Sequence, residues 1–166
     1  GHSVADVLWF IGEDVPNVIA WRNDLNPPLP AGYDFDGCDT RSLMEARVTN
    51  GRIVLPSGTE YRVLLLPNLT TMRPAVLRKV AELAKAGAVV LGPRPKQSPS
   101  LRDIGENAAA MRTLAEELWN GSITEGVSFE DLFKKINLPP DFAWKAPASD
   151  AEILYIHRRI GEADAY

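Results

Sequence analysis

Short apolar runs alternate along this chain with segments whose apolar positions recur every three or four residues, and the two rhythms predict different elements. Residues 4–11 read as one apolar run closed by Gly12, the pattern of a strand buried on both faces of a parallel sheet. After Pro16, residues 17–25 suit a short helix, which the proline-rich stretch 26–30 stops because proline cannot continue it. Residues 33–38 form a weaker strand, and Asp39 or Thr40 supplies an N-cap for a short helix holding Leu43 and Met44. Residues 52–55 and 61–66 flank a turn rich in Pro, Ser and Gly and read as a hairpin, of which only the second arm is apolar enough to be central. Residues 74–86 carry apolar side chains at 76, 77, 80, 81, 83 and 84, with Pro74 at the start and Gly87 at the end, which predicts a helix. A buried strand at 88–93, a helix within 101–119 centred on 108–118, a short helix at 129–136 and a late strand at 153–157 complete the series.

Strands alternating with helices imply a parallel sheet covered on both faces. The expected fold is therefore a flavodoxin-like three-layer α/β/α unit, doubly wound, with a mostly parallel sheet and one β-hairpin insertion. One domain is expected over residues 4–160, with the proline-containing stretch 138–149 as a surface connector. Residues 161–166 read as the start of a truncated hairpin or of a link to a following domain. Gly1-His2-Ser3 resembles the remnant of a cleaved tag and is set aside from the fold.

Composition narrows the function classes. A chain of 166 residues with 45% hydrophobic content can bury one real core. Its net charge is -4, with Lys and Arg scattered among acids, so no basic stripe exists to neutralise phosphates and nucleic acid is not an expected partner. No apolar run approaches the roughly 20 residues that span a bilayer, so a soluble chain without a membrane partner is expected. The single Cys38 excludes an internal disulfide, and with His157 as the one internal histidine a transition-metal site lacks ligands. No G-x-G-x-x-G or Walker loop occurs, so no metal or cofactor is expected.

In an open parallel sheet, ligands bind beyond the carboxyl ends of the strands. Those exits are Gly12-Glu13-Asp14, Pro67-Asn68, Gly92-Pro93-Arg94 and, if the last strand runs parallel, His157-Arg158-Arg159. Glu13, Asp14, Asn68, Arg94, His157 and Arg158 are therefore the candidates for ligand or interdomain contacts. The plainer alternative is that polar residues simply end strands at a solvated rim. Asp34-Phe35-Asp36-Gly37 has the look of the nucleophile loop of haloacid-dehalogenase-like phosphatases, but Pro28-Leu29-Pro30-Ala31-Gly32 is no buried strand to carry it. Cys38 with His157 as base would suit an amidotransferase-like enzyme. Cys38 lacks the flanking glycines of a tight elbow, however, and a structural thiol is the simpler reading. Glycosidases need two carboxyls flanking the bond, about 5 to 9.5 Å apart. Glu13 and Asp14 are adjacent, and in extended backbone they point to opposite faces. No catalytic residue is assigned.

Several segments in this order, "ADVLWFIGED", "LPAGYDFDGCD", "GRIVLPSGTEYRVLLLPN", "MRPAVLRKVAELAKAGAVVLGPRPKQSPSL", "LAEELW" and "IHRRIGEADAY", resemble one region of the large α-L-rhamnosidase-type glycoside hydrolases of family 106. The resemblance runs from about residue 5 to the end. It implies a flavodoxin-like or amidotransferase-like accessory domain of a bacterial enzyme, set between a catalytic barrel and β-sandwich modules. The acid and base carboxylates would then lie on the barrel. The implied role is to support that barrel, or the rim of its sugar site, with neighbouring domains and carbohydrate as partners and a periplasmic or secreted parent. A similar domain trimerises some β-galactosidases, so a homo-oligomerisation module is the alternative of a different class, beside a small amidotransferase-like enzyme or ligand-binding domain. An interface should appear as exposed apolar surface. Trp144 is the aromatic contact candidate and Trp9 a core residue.

Overall fold

The computed structural model describes residues 1–13, 18, 19, 21–99, 106–145 and 153–166. The first apolar run is two strands, β1 (His2–Val4) and β2 (Val7–Phe10). Asp6 breaks it, because its backbone is spent sideways: the Asp6 and Val7 N–H groups both donate to Asp34 O, at 3.0 and 3.2 Å. The Asp6 carbonyl accepts from Arg62 and Val63 N–H, at 2.8 and 3.1 Å. His2 and Ser3, set aside on sequence grounds, are thus part of β1. The helix expected at 17–25 is reduced to a 3-10 turn at Arg22–Asp24, with residues 17 and 20 outside the described set.

β3 (Phe35–Cys38) follows, and α1 (Thr40–Glu45) starts where expected, Asp39 accepting the Ser42 N–H at 2.8 Å. β4 (Arg47–Thr49) and β5 (Arg52–Val54) are joined by Asn50-Gly51, both at positive φ (52° and 71°), the geometry that matches the twist of a tight hairpin. β6 (Glu60–Tyr61) pairs with β5, so the anticipated hairpin forms. Its second arm then breaks at Arg62 into β7 (Val63–Leu65), which joins a different sheet. α2 (Pro74–Lys85) buries Val76, Leu77, Val80, Ala81, Leu83 and Ala84, the predicted stripe. β8 (Val89–Leu91), α3 (Glu106–Trp119), β9 (Ile123–Thr124) and α4 (Phe129–Lys135) come next, and Ser128 caps α4 by accepting the Asp131 N–H at 3.1 Å. The chain closes with β10 (His157–Ile160) and β11 (Ala163–Ala165), so the late strand begins at 157 rather than 153.

Five strands form a parallel sheet in the order β3-β2-β7-β8-β9. Alternation along each strand divides the core in two. Leu8, Phe10, Leu64 and Val90 meet Val76, Leu77 and Val80 of α2 and Met111, Ala115 and Leu118 of α3. Val7, Val63, Leu65 and Leu91 meet Leu25, Leu29, Tyr33 and the α4 residues Phe129, Leu132 and Phe133. Each fully buried side chain of this size stabilises the fold by about 1.5–3 kcal/mol, which is why the two faces, rather than surface pairs, hold the sheet.

The expected flavodoxin-like architecture with a mostly parallel sheet and one hairpin insertion is not what the chain adopts. The sheets are mixed: besides the parallel one there are two separate antiparallel sheets of three strands each, β4-β5-β6 and β1-β10-β11. Physically, three local breaks account for this, at Asp6, at the Asn50-Gly51 turn and at Arg62. Each diverts a segment to antiparallel partners that strand periodicity alone does not reveal.

Candidate functional site

The carboxyl rim of the parallel sheet collects three of the sequence candidates. Glu13, just beyond β2, is taken up by Arg73, the residue that opens α2. Its Oε2 accepts the Arg73 backbone N–H at 2.7 Å and its Oε1 the Arg73 Nε–H at 2.5 Å. A carboxylate on a helix-opening amide is stabilised by the orphan N–H groups and the helix dipole, so Glu13 closes the β7–α2 turn against β2. Asn68, beyond β7, is exposed and lines a cavity of about 650 Å³ with Asn26, Gly92, Pro93, Glu125 and Ser128. Arg94, beyond β8, is exposed. Its backbone N–H donates to Glu125 Oε2 at 3.0 Å, which ties the exits of β8 and β9 together. Asp14 lies outside the described residues.

His157 and Arg158 are not at this rim. β10 runs antiparallel to β1, with Val4 opposite His157, and β1 feeds the amino end of β2. The two residues therefore sit at the opposite end of the sheet from Glu13, and the imagined carboxylate pair facing an Arg cluster does not assemble. His157 is buried, its Nδ1 2.8 Å from Asp141 Oδ2 and its Nε2 3.0 Å from Asp164 Oδ1. Tyr166 stacks on the ring at 4.3 Å. Hydrogen bonds from His157 and then from Arg159 hold the Asp164 carboxyl below its ordinary range. Arg158 is exposed. This clasp fastens the β10–β11 hairpin to the 139–142 strap.

The amino end also holds Asp6 and Tyr155, which sequence reading missed, together with Asp34, which it weighed only as a phosphatase-like residue. Asp6 Oδ2 accepts the Asp34 N–H at 3.3 Å, and Asp34 Oδ1 accepts the Phe35 N–H at 2.9 Å. Burial, opposed by the Asp34 backbone hydrogen bond and reinforced by the Asp141 charge, pushes the Asp6 carboxyl up to about 6. Asp34 is likewise raised, first by burial. The Tyr155 phenol is raised by burial and then by the charges of Asp141, Asp34 and Asp6. The Tyr155 hydroxyl is buried and has no hydrogen-bond partner among the described residues. The one signal available beforehand was Asp6 itself, a charge inside an apolar run.

Cys38 ends β3 at the carboxyl side, the far end from His157, so the two do not pair. Its buried thiol is pushed up to about 12 by desolvation and then by Asp39, which makes it a poor nucleophile at neutral pH. This removes the chemical basis of an amidotransferase-like activity. The Asp34–Asp36 pair starts a strand instead of following one, and Asp36 accepts the Tyr61 hydroxyl at 3.0 Å. Among the described residues, no cluster of three or more His, Cys, Asp or Glu side chains is placed to hold a metal, and no helix is long and apolar enough to cross a membrane. Trp9 is half-buried edge-on against Phe35, with centroids 6.4 Å apart. Val18, Ile19 and Trp21 are exposed, Trp21 at 83%, and Ile19 packs over Gly37 of the edge strand β3.

A family model described as alpha-L-rhamnosidase, glycoside hydrolase family 106, matches residues 1–166. A protein of Formosa agariphila provisionally named a beta-glucuronidase is 38% identical over 167 residues, spanning 100% of this chain and 14% of that protein. The solved structure of a rhamnosidase from Novosphingobium sp. PP1Y superposes with a TM-score of 0.81 at 28% identity, covering 99% of this chain and 17% of that one. The chain thus spans less than a fifth of the length of either relative.

Proposed function

Because the chain belongs to the α-L-rhamnosidase family of glycoside hydrolases and corresponds to a small part of a larger hydrolase, we propose that it is an accessory, non-catalytic domain of such an enzyme. It supports the catalytic barrel of its polypeptide, and its carboxyl rim borders the barrel's sugar site. The observation that carries this reading is the exposed apolar surface at the β3 edge of the parallel sheet. Val18, Ile19 and Trp21 stand in water, Ile19 over Gly37 of the edge strand β3, and apolar surface of that kind marks an interface. The commitment of Glu13 to Arg73 agrees with it. A carboxylate with both oxygens engaged is built to hold a loop, not to shuttle a proton to substrate.

The test compares three proteins on 4-nitrophenyl α-L-rhamnopyranoside: the 166-residue chain, the full polypeptide that carries it, and that polypeptide with Trp21→Asp. A silent chain, an active polypeptide and a Trp21→Asp variant with lowered melting temperature and turnover are expected. Turnover by the chain alone would refute the reading. If the chain self-associates through Trp21 in sedimentation while the polypeptide's activity ignores Trp21→Asp, an oligomerisation module replaces it.

A further inference from the structure

At the amino end of the parallel sheet, away from the rim, the His157 clasp joins three stretches of chain. The imidazole, on β10, is buried, and each of its nitrogens meets a carboxylate from a different element. Nδ1 lies 2.8 Å from Asp141 Oδ2 on the strap, and Nε2 lies 3.0 Å from Asp164 Oδ1 on β11. Tyr166 covers the ring, with centroids 4.3 Å apart and planes 19° from parallel, and its hydroxyl lies 3.4 Å from Asp141 Oδ1. Arg159, also on β10, donates its Nε–H to Asp164 Oδ1 at 3.0 Å. β1, paired on the other side of β10, sets Val4 opposite His157 and its own titratable group, His2, opposite Arg159. Beyond Asp141 stand the Asp6 and Asp34 carboxyls, which feel its charge.

Donors and acceptors fix the proton count of this clasp. With Asp141 and Asp164 ionised, each carboxylate only accepts, so both contacts need an N–H on the imidazole side. A neutral imidazole carries one N–H and an imidazolium two. The geometry with both contacts made is therefore that of the charged ring, and the charges of His157 and Arg159 then balance those of Asp141 and Asp164. Removing one proton sets a nitrogen lone pair against a carboxylate oxygen at hydrogen-bond distance. Water does not take the lost partner's place, because the His157 side chain is only 3% exposed. A buried polar group facing no partner is costly, so one contact opens instead. Asp164 is the side that gives way, since its side chain is 44% exposed and it keeps Arg159, whereas Asp141 is 21% exposed.

We propose that His157 is a pH-sensitive latch: its imidazolium form holds Asp164 and Tyr166 of the β10–β11 hairpin against the strap, and loss of its proton frees them. Closure binds a proton, so the hold is complete where the imidazole is charged and is lost as the pH rises. Histidine is the side chain whose charge ordinarily changes within about pH 5 to 8, which makes it the group suited to such a device. β10 stays in place through its pairing with β1, so the movement is confined to β11 and Tyr166. The latch uses none of the residues on which the barrel-supporting role rests.

The experiment follows the 166-residue chain by NMR from about pH 5 to about pH 9, bracketing the span over which histidine changes charge. It reads the ring-nitrogen shifts of His157 and the cross-relaxation between the ring protons of His157 and Tyr166. Exposed His2, the chain's other histidine, titrates in the same spectra as an internal reference. At about pH 5 both His157 nitrogens should carry protons and the cross-peak should be strong. By about pH 9 one proton should be gone and the cross-peak about tenfold weaker, the factor that loss of one charge-assisted hydrogen bond takes from the closed population. Asp141→Asn discriminates. Its amide can donate to an unprotonated Nδ1 and its carbonyl can accept from Tyr166, while Nε2–H still donates to Asp164, so a neutral ring satisfies every contact. Its cross-peak should persist at about pH 9. A parent cross-peak at full strength after the ring has lost its proton, or a ring that keeps one charge state throughout, overturns the proposal. So does a fall that tracks His2, or the same fall in Asp141→Asn. If Asp141→Asn does not fold, the parent decides alone, because its cross-peak must fall in step with the His157 proton. These outcomes leave the Trp21 test untouched, so the two readings fail separately.

Discussion

Asp6 offers a direct measure of the electrostatics at the amino end. Its carboxyl moves from an ordinary value of 3.8 to about 6, chiefly because burial disfavours the ionised form. The folded state therefore binds the proton more tightly than the unfolded chain. The stability contributed by protonation is complete below about pH 3.8 and is lost as the pH rises through about 6. At about 1.4 kcal/mol per unit, the full displacement is worth about 3 kcal/mol. Asp6 is only partly buried, so solvent screening reduces this to about 1–3 kcal/mol. Asp6→Asn keeps an acceptor for the Asp34 N–H, 3.3 Å away, and removes the charge. It should be more stable than the parent by about 1–3 kcal/mol at pH 8, or several degrees in Tm at about 2–4 °C per kcal/mol. The gain should vanish near pH 4. Urea unfolding followed by tryptophan fluorescence at intervals from pH 4 to pH 8 measures both curves. An Asp6→Asn protein no more stable than the parent at pH 8, or a gap that does not close as pH falls, refutes this account of the amino end.

Three further outcomes follow from the same geometry. Cys38 should react with a disulfide reagent at pH 8 only as fast as the chain unfolds, since its thiol is buried and pushed up to about 12; rapid labelling of the native chain would contradict this. Glu13→Ala should cost about 1 kcal/mol in urea unfolding, because it strips Arg73 of two hydrogen bonds at a half-exposed site. A larger loss from Glu13→Gln than from Glu13→Ala would show that the loop is not held this way. Tyr155→Phe should raise stability by about 1 kcal/mol, since it deletes a buried donor with no partner among the described residues; thermal melting that falls instead would mean that hydroxyl is already satisfied.

Much of the local structure was legible from residue order. The stripe at 76, 77, 80, 81, 83 and 84 fixes α2, Asp39 and Ser128 fix two helix starts, and the apolar runs around Val63 and Val90 fix central strands. These signals are local because helix and strand periods bring neighbours in sequence onto one face. Others were written there but overlooked, such as Asp6 inside an apolar run and the Asn50-Gly51 turn that creates β4. β9, two residues long, is too short to show a period at all.

The sites belong to a different category. Glu13 finds Arg73, 60 positions away, because the β7–α2 turn ends at the same edge of the sheet as β2. His157 leaves the expected rim because β10 pairs antiparallel with β1 instead of joining the parallel sheet. Asp6, Asp34, Asp141 and Tyr155 come from four separate stretches and meet only when strand register and the Gly32–Phe142 contact bring the strap over the sheet end. Sequence alone determined the buried stripe of α2 and the helix starts at Asp39 and Ser128. Which charged groups share a wall was decided by long-range strand pairing, because register follows from where each backbone N–H and C=O finds its partner across the folded chain.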